Sequence, residues 1–183
     1  MSEKYKANDD LPYFVTMTFQ GWVDLFTREV YRELFVDALM HCHIKKGLII
    51  HEYVIMSNHA HLILQNRSSR LSEIIRDFKA HVAREVLKRL KTDNSESRRE
   101  WALRLFKYYA KYLKQNKDYA IWRKSNRPIV LDNSELYERC MDYIHLNPVK
   151  AGLVLAPNHW LYSSACNENP INKILRRQYG DGA

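Results

Sequence analysis

Leu48-Ile-Ile-His-Glu-Tyr-Val-Ile-Met56, Ser57-Asn58 and His59-Ala-His-Leu-Ile-Leu-Gln65 form the stretch on which the fold turns. The first run is crowded with Ile, Val and Tyr, which favour a pleated, half-buried backbone. Ser-Asn supplies turn chemistry, and the third run resumes an extended pattern. Two such runs separated by a short turn form an antiparallel hairpin. On its second strand, residues two apart share a side. His59 and His61 therefore converge on one face, while Ala60, Leu62 and Leu64 turn to the opposite, buried face.

The pattern extends outward from this hairpin in both directions. Upstream, residues 13–19 place Val15, Met17 and Phe19 at period two, as a strand does. Thr27 is positioned to cap a helix running to about residue 46, with Tyr31, Leu34, Phe35, Ala38 and Cys42 as its buried stripe and Gly47 as its stop. Downstream, Leu71, Ile74, Ile75, Phe78, Val82 and Val86 define an amphipathic helix ending near Lys91. A polar loop leads into a further helix over residues 99–116. Its apolar stripe is expected at Trp101, Leu105, Tyr108 and Tyr112, beside a basic face of Arg104, Lys107, Lys111 and Lys114. Ile121-Trp122 and residues 128–131 suggest a short irregular strand around a bend carrying Arg123, Lys124 and Arg127. Asp132-x-x-Glu135 has capping-box spacing for a last helix, which Pro148 should end near Asn147.

The order is β-α-β-β-α-(α)-β-α. It predicts an α+β, ferredoxin-like (βαββαβ) domain whose antiparallel sheet is covered by helices, with one additional helix on the open side. A chain of 183 residues is the size of one domain, here with a core over about residues 11–150 and a tail over 151–183. The tail carries Trp160, Tyr162 and the basic residues Lys173, Arg176 and Arg177, and the pattern leaves open whether it docks.

Composition narrows the function classes. Cys42, Cys140 and Cys166 are odd in number and unpatterned, and no long apolar run is present, so a cytoplasmic protein without a membrane span is expected. The net charge of +8 is concentrated. Residues 98–127 hold ten Lys and Arg against only Glu100 and Asp118, and the remainder of the chain is neutral. Such a block suits a polyanion.

Two constellations carry chemistry. His59 and His61 can share one divalent ion and leave coordination positions open for a substrate. In Asp142-Tyr-Ile-His-Leu-Asn-Pro-Val-Lys-Ala-Gly152, Tyr143 and Asn147 are one helical turn apart and face the same way. A phenol and an amide oxygen, the latter a suitable ligand for Mg²⁺ or Mn²⁺, thus belong to one surface.

Residues 53–64, residues 142–154 and Trp160-x-Tyr162-Ser163-Ser164 together resemble the HUH single-tyrosine transposases, and within them the REP-associated tyrosine transposase branch. The likeness runs from about Tyr13 to Ser164. It implies that His59 and His61 match the metal-ligand histidines, Tyr143 the nucleophile and Asn147 the third ligand. Ala60 stands at the middle position, where a bulkier hydrophobe is usual, and Ser57 where Pro is frequent. Asn147 stands where the insertion-sequence relatives carry Gln, although Asn-Pro fits the REP-associated branch.

The resemblance further implies a Mg²⁺- or Mn²⁺-dependent enzyme that cleaves and rejoins single-stranded or hairpin DNA through a 5′-phosphotyrosine, acting as a monomer or homodimer. Attack by the phenol conserves the phosphodiester's energy, consistent with the lack of any GxxxxGK[ST] motif for ATP. Arg104, Lys107, Lys111, Lys114, Arg123, Lys124 and Arg127 are then expected to meet phosphates, and Tyr108 or Tyr109 could stack bases, although core packing is favoured for Tyr108 and Tyr112. Two other readings fit the same pattern. One is a non-catalytic ferredoxin-like module for single-stranded DNA or RNA. The other is a domesticated transposase acting as a regulator.

Overall fold

The hairpin forms where the sequence places it. In the computed structural model, which describes residues 11–66, 70–113, 118–124 and 128–179, strands β2 (Leu48–Ile55) and β3 (His59–Asn66) pair antiparallel. The Met56 amide closes their turn on the His59 carbonyl at 2.8 Å. Strand β1 (Tyr13–Thr18) joins the other side of β3, and β4 (Ile129–Val130) adds to β1, giving the order β2-β3-β1-β4. Every pairing is antiparallel, and the order is that of a ferredoxin-like domain.

Alternation divides the sheet into two faces. Val15, Met17, Ala60, Leu62, Leu64, Tyr53 and Ile55 point to the main core, covered by α1 (Glu29–Lys46) and α2 (Leu71–Thr92). The opposite face is covered by α4 (Ser134–Lys150), over a second, smaller core of Val54, Met56, Ile63, Leu131 and Ile144. A β-bulge between Ile50 and Glu52 makes this division possible on β2. Leu48 and Ile50 serve the main core, and the extra residue switches the alternation so that Tyr53 and Ile55 serve it too. Val54 consequently packs on the α4 side, and Glu52 shares its parity.

Several boundaries differ from expectation. Thr27 belongs to a 3-10 turn, Leu25–Thr27, and its hydroxyl donates to the Asp24 carbonyl, so α1 starts two residues later with Arg28 at the cap. Gly47 ends α1 in the left-handed region, at φ 69°, as expected. Asn133, not Asp132, caps α4 by accepting the Leu136 amide at 2.8 Å. The same helix continues past Asn147 to Lys150, with Pro148 inside it and buried. A proline so near a C-terminus costs only one amide, and the Pro148 carbonyl still accepts the Leu153 amide at 2.9 Å.

The largest correction concerns α3 (Arg99–Leu113). Its buried seam is Ala102, Phe106 and Ala110, whereas Tyr108 and Tyr112 are 60% and 71% exposed and stack on each other, and Trp101 is exposed as well. Two alanines let the helix approach closely around one phenylalanine. A pattern weighted by side-chain size chooses the neighbouring aromatic stripe instead.

The tail docks. The Ile55 amide donates to the Tyr162 carbonyl and the Ser164 amide to the Tyr53 carbonyl, both at 2.9 Å, which occupies the free edge of β2. The Trp160 indole donates to the Ile55 carbonyl, and the Tyr53 hydroxyl donates to Asn169 at 2.9 Å, just before α5 (Pro170–Tyr179). Among the described residues, no helix is long and apolar enough to cross a membrane.

Candidate active site

β3 and α4 between them position the two constellations found in the sequence. Register places His61 between Thr16 of β1 and Val54 of β2, on the face that α4 covers. The Tyr143 hydroxyl reaches to 3.5 Å from His61 Nε2, at the limit of hydrogen-bonding distance, so it is close without being held. Their ring centroids lie 5.0 Å apart, and Phe14 packs beside both. His59 follows along the strand, with its ring centroid 4.7 Å from that of His61. Residues separated by more than eighty positions in sequence thus meet at one site.

Exposure differs among the three. Tyr143 is 43% exposed, and His59 is half-buried. His61 is only 6% exposed, more enclosed than a histidine on an open sheet surface would be, because α4 roofs that side. Burial pushes the imidazole of His61 down to about 3, with the neighbouring His59 adding to the effect, and burial also lowers that of His59. Neutral imidazoles are the form that binds metals.

Each histidine has one ring nitrogen engaged. His61 Nδ1 bonds the Thr16 hydroxyl at 2.9 Å and His59 Nδ1 bonds the Asn58 side-chain oxygen at 2.6 Å. Such partners fix the rings, and in His61 they leave Nε2 facing the Tyr143 hydroxyl. Two imidazoles, of a kind that ligates divalent cations, thus stand side by side, and among the described residues no third His, Cys, Asp or Glu joins them as a metal cluster. Asn147 is half-buried one turn beyond Tyr143, but it does not line the pocket that holds Tyr143 and His61.

That pocket is open and about 620 Å³ in volume. Phe14, Thr16 and His61 line it from the sheet, and Arg139, Asp142, Tyr143 and Lys150 from α4. The two cations flank the tyrosine along its helix and were not singled out in the sequence, where nothing linked them to the histidines. On the other side of α4, His145 Nε2 lies 2.8 Å from Glu52, which also accepts from the Ser164 hydroxyl at 2.6 Å. Burial raises the Glu52 carboxyl, but the hydrogen bonds from His145 and Ser164 outweigh it and leave the group below its ordinary value. This contact ties α4 to β2 and to the docked tail.

The basic segment is only partly gathered. Lys107, Arg123 and Lys124 line a groove of about 860 Å³ together with Lys79, Arg84 and Lys91 of α2. Burial lowers the Lys79 ammonium to about 8. Arg104 and Lys111 lie outside that lining, and Lys114 and Arg127 lie outside the described residues.

Residues 10–121 match the family described as "Transposase IS200 like". The chain belongs to the IS200-like transposase family. Among solved structures, a REP-associated tyrosine transposase bound to a REP hairpin superposes with a TM-score of 0.62 at 19% identity, over 94% of this chain and 90% of that one. This transposase-family chain thus shares that protein's fold. A putative transposase from Deinococcus radiodurans R1 aligns at 18% identity over 84% of this chain and 98% of that one, with a TM-score of 0.43. No curated protein sequence matches significantly.

Proposed function

We propose that the chain is a REP-associated tyrosine transposase, which binds single-stranded or hairpin DNA and cleaves and rejoins it with Tyr143 as nucleophile. The observation that carries this reading is the approach of the Tyr143 hydroxyl to within 3.5 Å of His61, beside His59, in an open pocket that Arg139 and Lys150 also line. The hairpin in the complex of the structural relative supports hairpin DNA as substrate.

His59 and His61 would hold Mg²⁺ or Mn²⁺, with Asn147 as the third protein ligand. When bound, the cation supplies positive charge to a non-bridging oxygen of the scissile phosphate. Arg139 and Lys150 orient that phosphate from α4, and Lys107, Arg123 and Lys124 bind flanking phosphates along the groove. The Tyr143 oxygen attacks phosphorus in line, and its proton passes to solvent. The bond to the 3′ oxygen breaks, that oxygen gains a proton, and a 5′-phosphotyrosine remains. Rejoining reverses the step with a 3′-hydroxyl as attacking group, so no nucleotide cofactor is consumed.

Incubation with end-labelled hairpins and Mg²⁺ or Mn²⁺, followed by a denaturing gel, tests the reading. A protein–DNA adduct that EDTA abolishes is expected. Binding without cleavage at any metal concentration would instead favour a DNA-binding module or a domesticated regulator.

A further inference from the structure

Trp22 is the one non-glycine residue at positive φ among the described residues, at 58°, and it follows Gly21 at 67°. A bulky side chain in the left-handed region is strained. The strain is imposed from three sides. The Gln20 amide donates to the Ile121 carbonyl at 2.7 Å, and the Phe19 amide donates to the Asn58 carbonyl at 3.0 Å. Gly21 lies against α3 so closely that a Cβ there would come within 2.6 Å of Leu105 and 2.9 Å of Tyr109. Phe19 and Val23 on either side are buried, with Phe19 stacked on Trp122. The turn therefore anchors its ends in the core and projects Trp22 outward.

The indole is 57% exposed, so it returns little burial energy for the strain it imposes. Its location is specific. Its ring centroid is 6.4 Å from that of His59, edge to face, and successive ring contacts run Trp22–His59–His61–Tyr143. The Arg123 guanidinium lies over it, 4.6 Å from the ring centroid. Arg123 also lines the basic groove with Lys107 and Lys124. An exposed aromatic ring, fixed in place and bordered by phosphate-binding cations, is a platform for an unpaired base.

We infer that Trp22 stacks the unpaired nucleobase next to the phosphate held at His59 and His61, in a guanidinium–indole–base stack with Arg123. The inference rests on the DNA-cleaving reading above and adds a positioning residue to it. Stacking holds the backbone in register with Tyr143 and shows little preference among bases, because every base has a π-face.

The test is binding of the full chain to a fluorescein-labelled hairpin with oligothymidine flanks in EDTA, where no cleavage intervenes, with an abasic site moved along each flank. In the parent, one flank position should be sensitive, with binding weakened on the order of tenfold. Trp22→Ala should lower affinity for the intact probe by a similar factor and lose sensitivity at that position, and Trp22→Phe should retain most of both. Trp22→Gly should bind as poorly as Trp22→Ala yet melt at a higher temperature than the parent, since it releases the positive-φ strain. Parental affinity and position dependence in Trp22→Ala overturn the inference. Binding by the parent with no sensitive position also overturns it and leaves the transposase reading standing. Failure of the parent to bind any flanked hairpin, both in EDTA and with Mg²⁺ or Mn²⁺ present, removes both.

Discussion

Ile144→Ala tests whether the helix bearing the nucleophile is held to the sheet as a separate unit. Ile144 is fully buried and packs with Val54, Met56, Ile63 and Leu131 in the small core beneath α4. The change removes three carbons, worth roughly 2.5 kcal/mol at about 0.8 kcal/mol per buried methylene. A residual cavity raises the cost to about 3–4 kcal/mol. The helix is also held by Leu136, Tyr137, Cys140 and Met141, which are only partly buried against the same core. Pro148 is buried, and the pair of His145 with Glu52 is partly exposed and contributes about 1 kcal/mol at most. Opening of α4 should therefore become roughly 150- to 700-fold more frequent. The main core under α1 and α2 contains none of the five residues except through the shared sheet. Native-state hydrogen exchange read by mass spectrometry should show protection falling by that factor in α4 and changing little in α1. Hairpin cleavage should fall with it, while hairpin binding persists. Equal loss of protection in α1 and α4, or a change below about fivefold in α4, would refute the argument that two cores carry the two helix layers independently.

Replacing Lys107, Arg123 and Lys124 with Gln should weaken hairpin binding and flatten its salt dependence by up to about one unit of slope per lost phosphate contact. An unchanged slope in an anisotropy titration would place the DNA elsewhere. His59→Ala with His61→Ala should abolish metal-dependent cleavage and the heat of Mn²⁺ binding in calorimetry, and retained Mn²⁺ binding would remove the histidines from the site. The depressed imidazole of His61 also sets a pH dependence. The unfolded histidine protonates below about 6.5 and the folded one only near 3, so its stabilising contribution is complete above about 6.5 and is lost as pH falls toward 3. Between about pH 7 and pH 4 the urea midpoint of the parent should drop more than that of His61→Gln, and parallel curves would contradict the burial argument.

The fold was legible because its information is local. Alternation in β1 and β3, the stripes of α1 and α2 and the stop at Gly47 are each written within a few residues, and together they define the split βαβ order. The seam of α3 was misread because Ala102 and Ala110 gain burial through close approach, a tertiary event, while the larger Trp101, Tyr108 and Tyr112 dominate the pattern. Pro148 was given too much weight because a proline in a last turn removes only one hydrogen bond.

Within the site, His59 and His61 were visible as neighbours on one strand face, and their approach to Tyr143 came only with the docking of α4. The partners of the histidines follow from pairing rather than spacing. Thr16 faces His61 across β1 and β3, and Asn58 belongs to the turn. Trp22 carried no signal, since one tryptophan beside a glycine is unremarkable until the backbone shows the left-handed pair. The Glu52 contact with His145 depends on a bulge and a tail that no periodicity announces.

The most direct measurement is the identity of the residue that carries the DNA. The parent is incubated with a labelled hairpin and Mn²⁺, the covalent adduct is digested with protease and nuclease, and the nucleotide-bearing peptide is sequenced by mass spectrometry, with Tyr143→Phe in parallel. That variant removes one oxygen and keeps the ring beside Phe14 and His61. The account predicts a phosphotyrosyl nucleotide on Tyr143 alone, and a Tyr143→Phe protein that binds the hairpin like the parent but forms no adduct and no cleaved strand. A modified peptide containing a different tyrosine, or cleavage that survives in Tyr143→Phe, would contradict it.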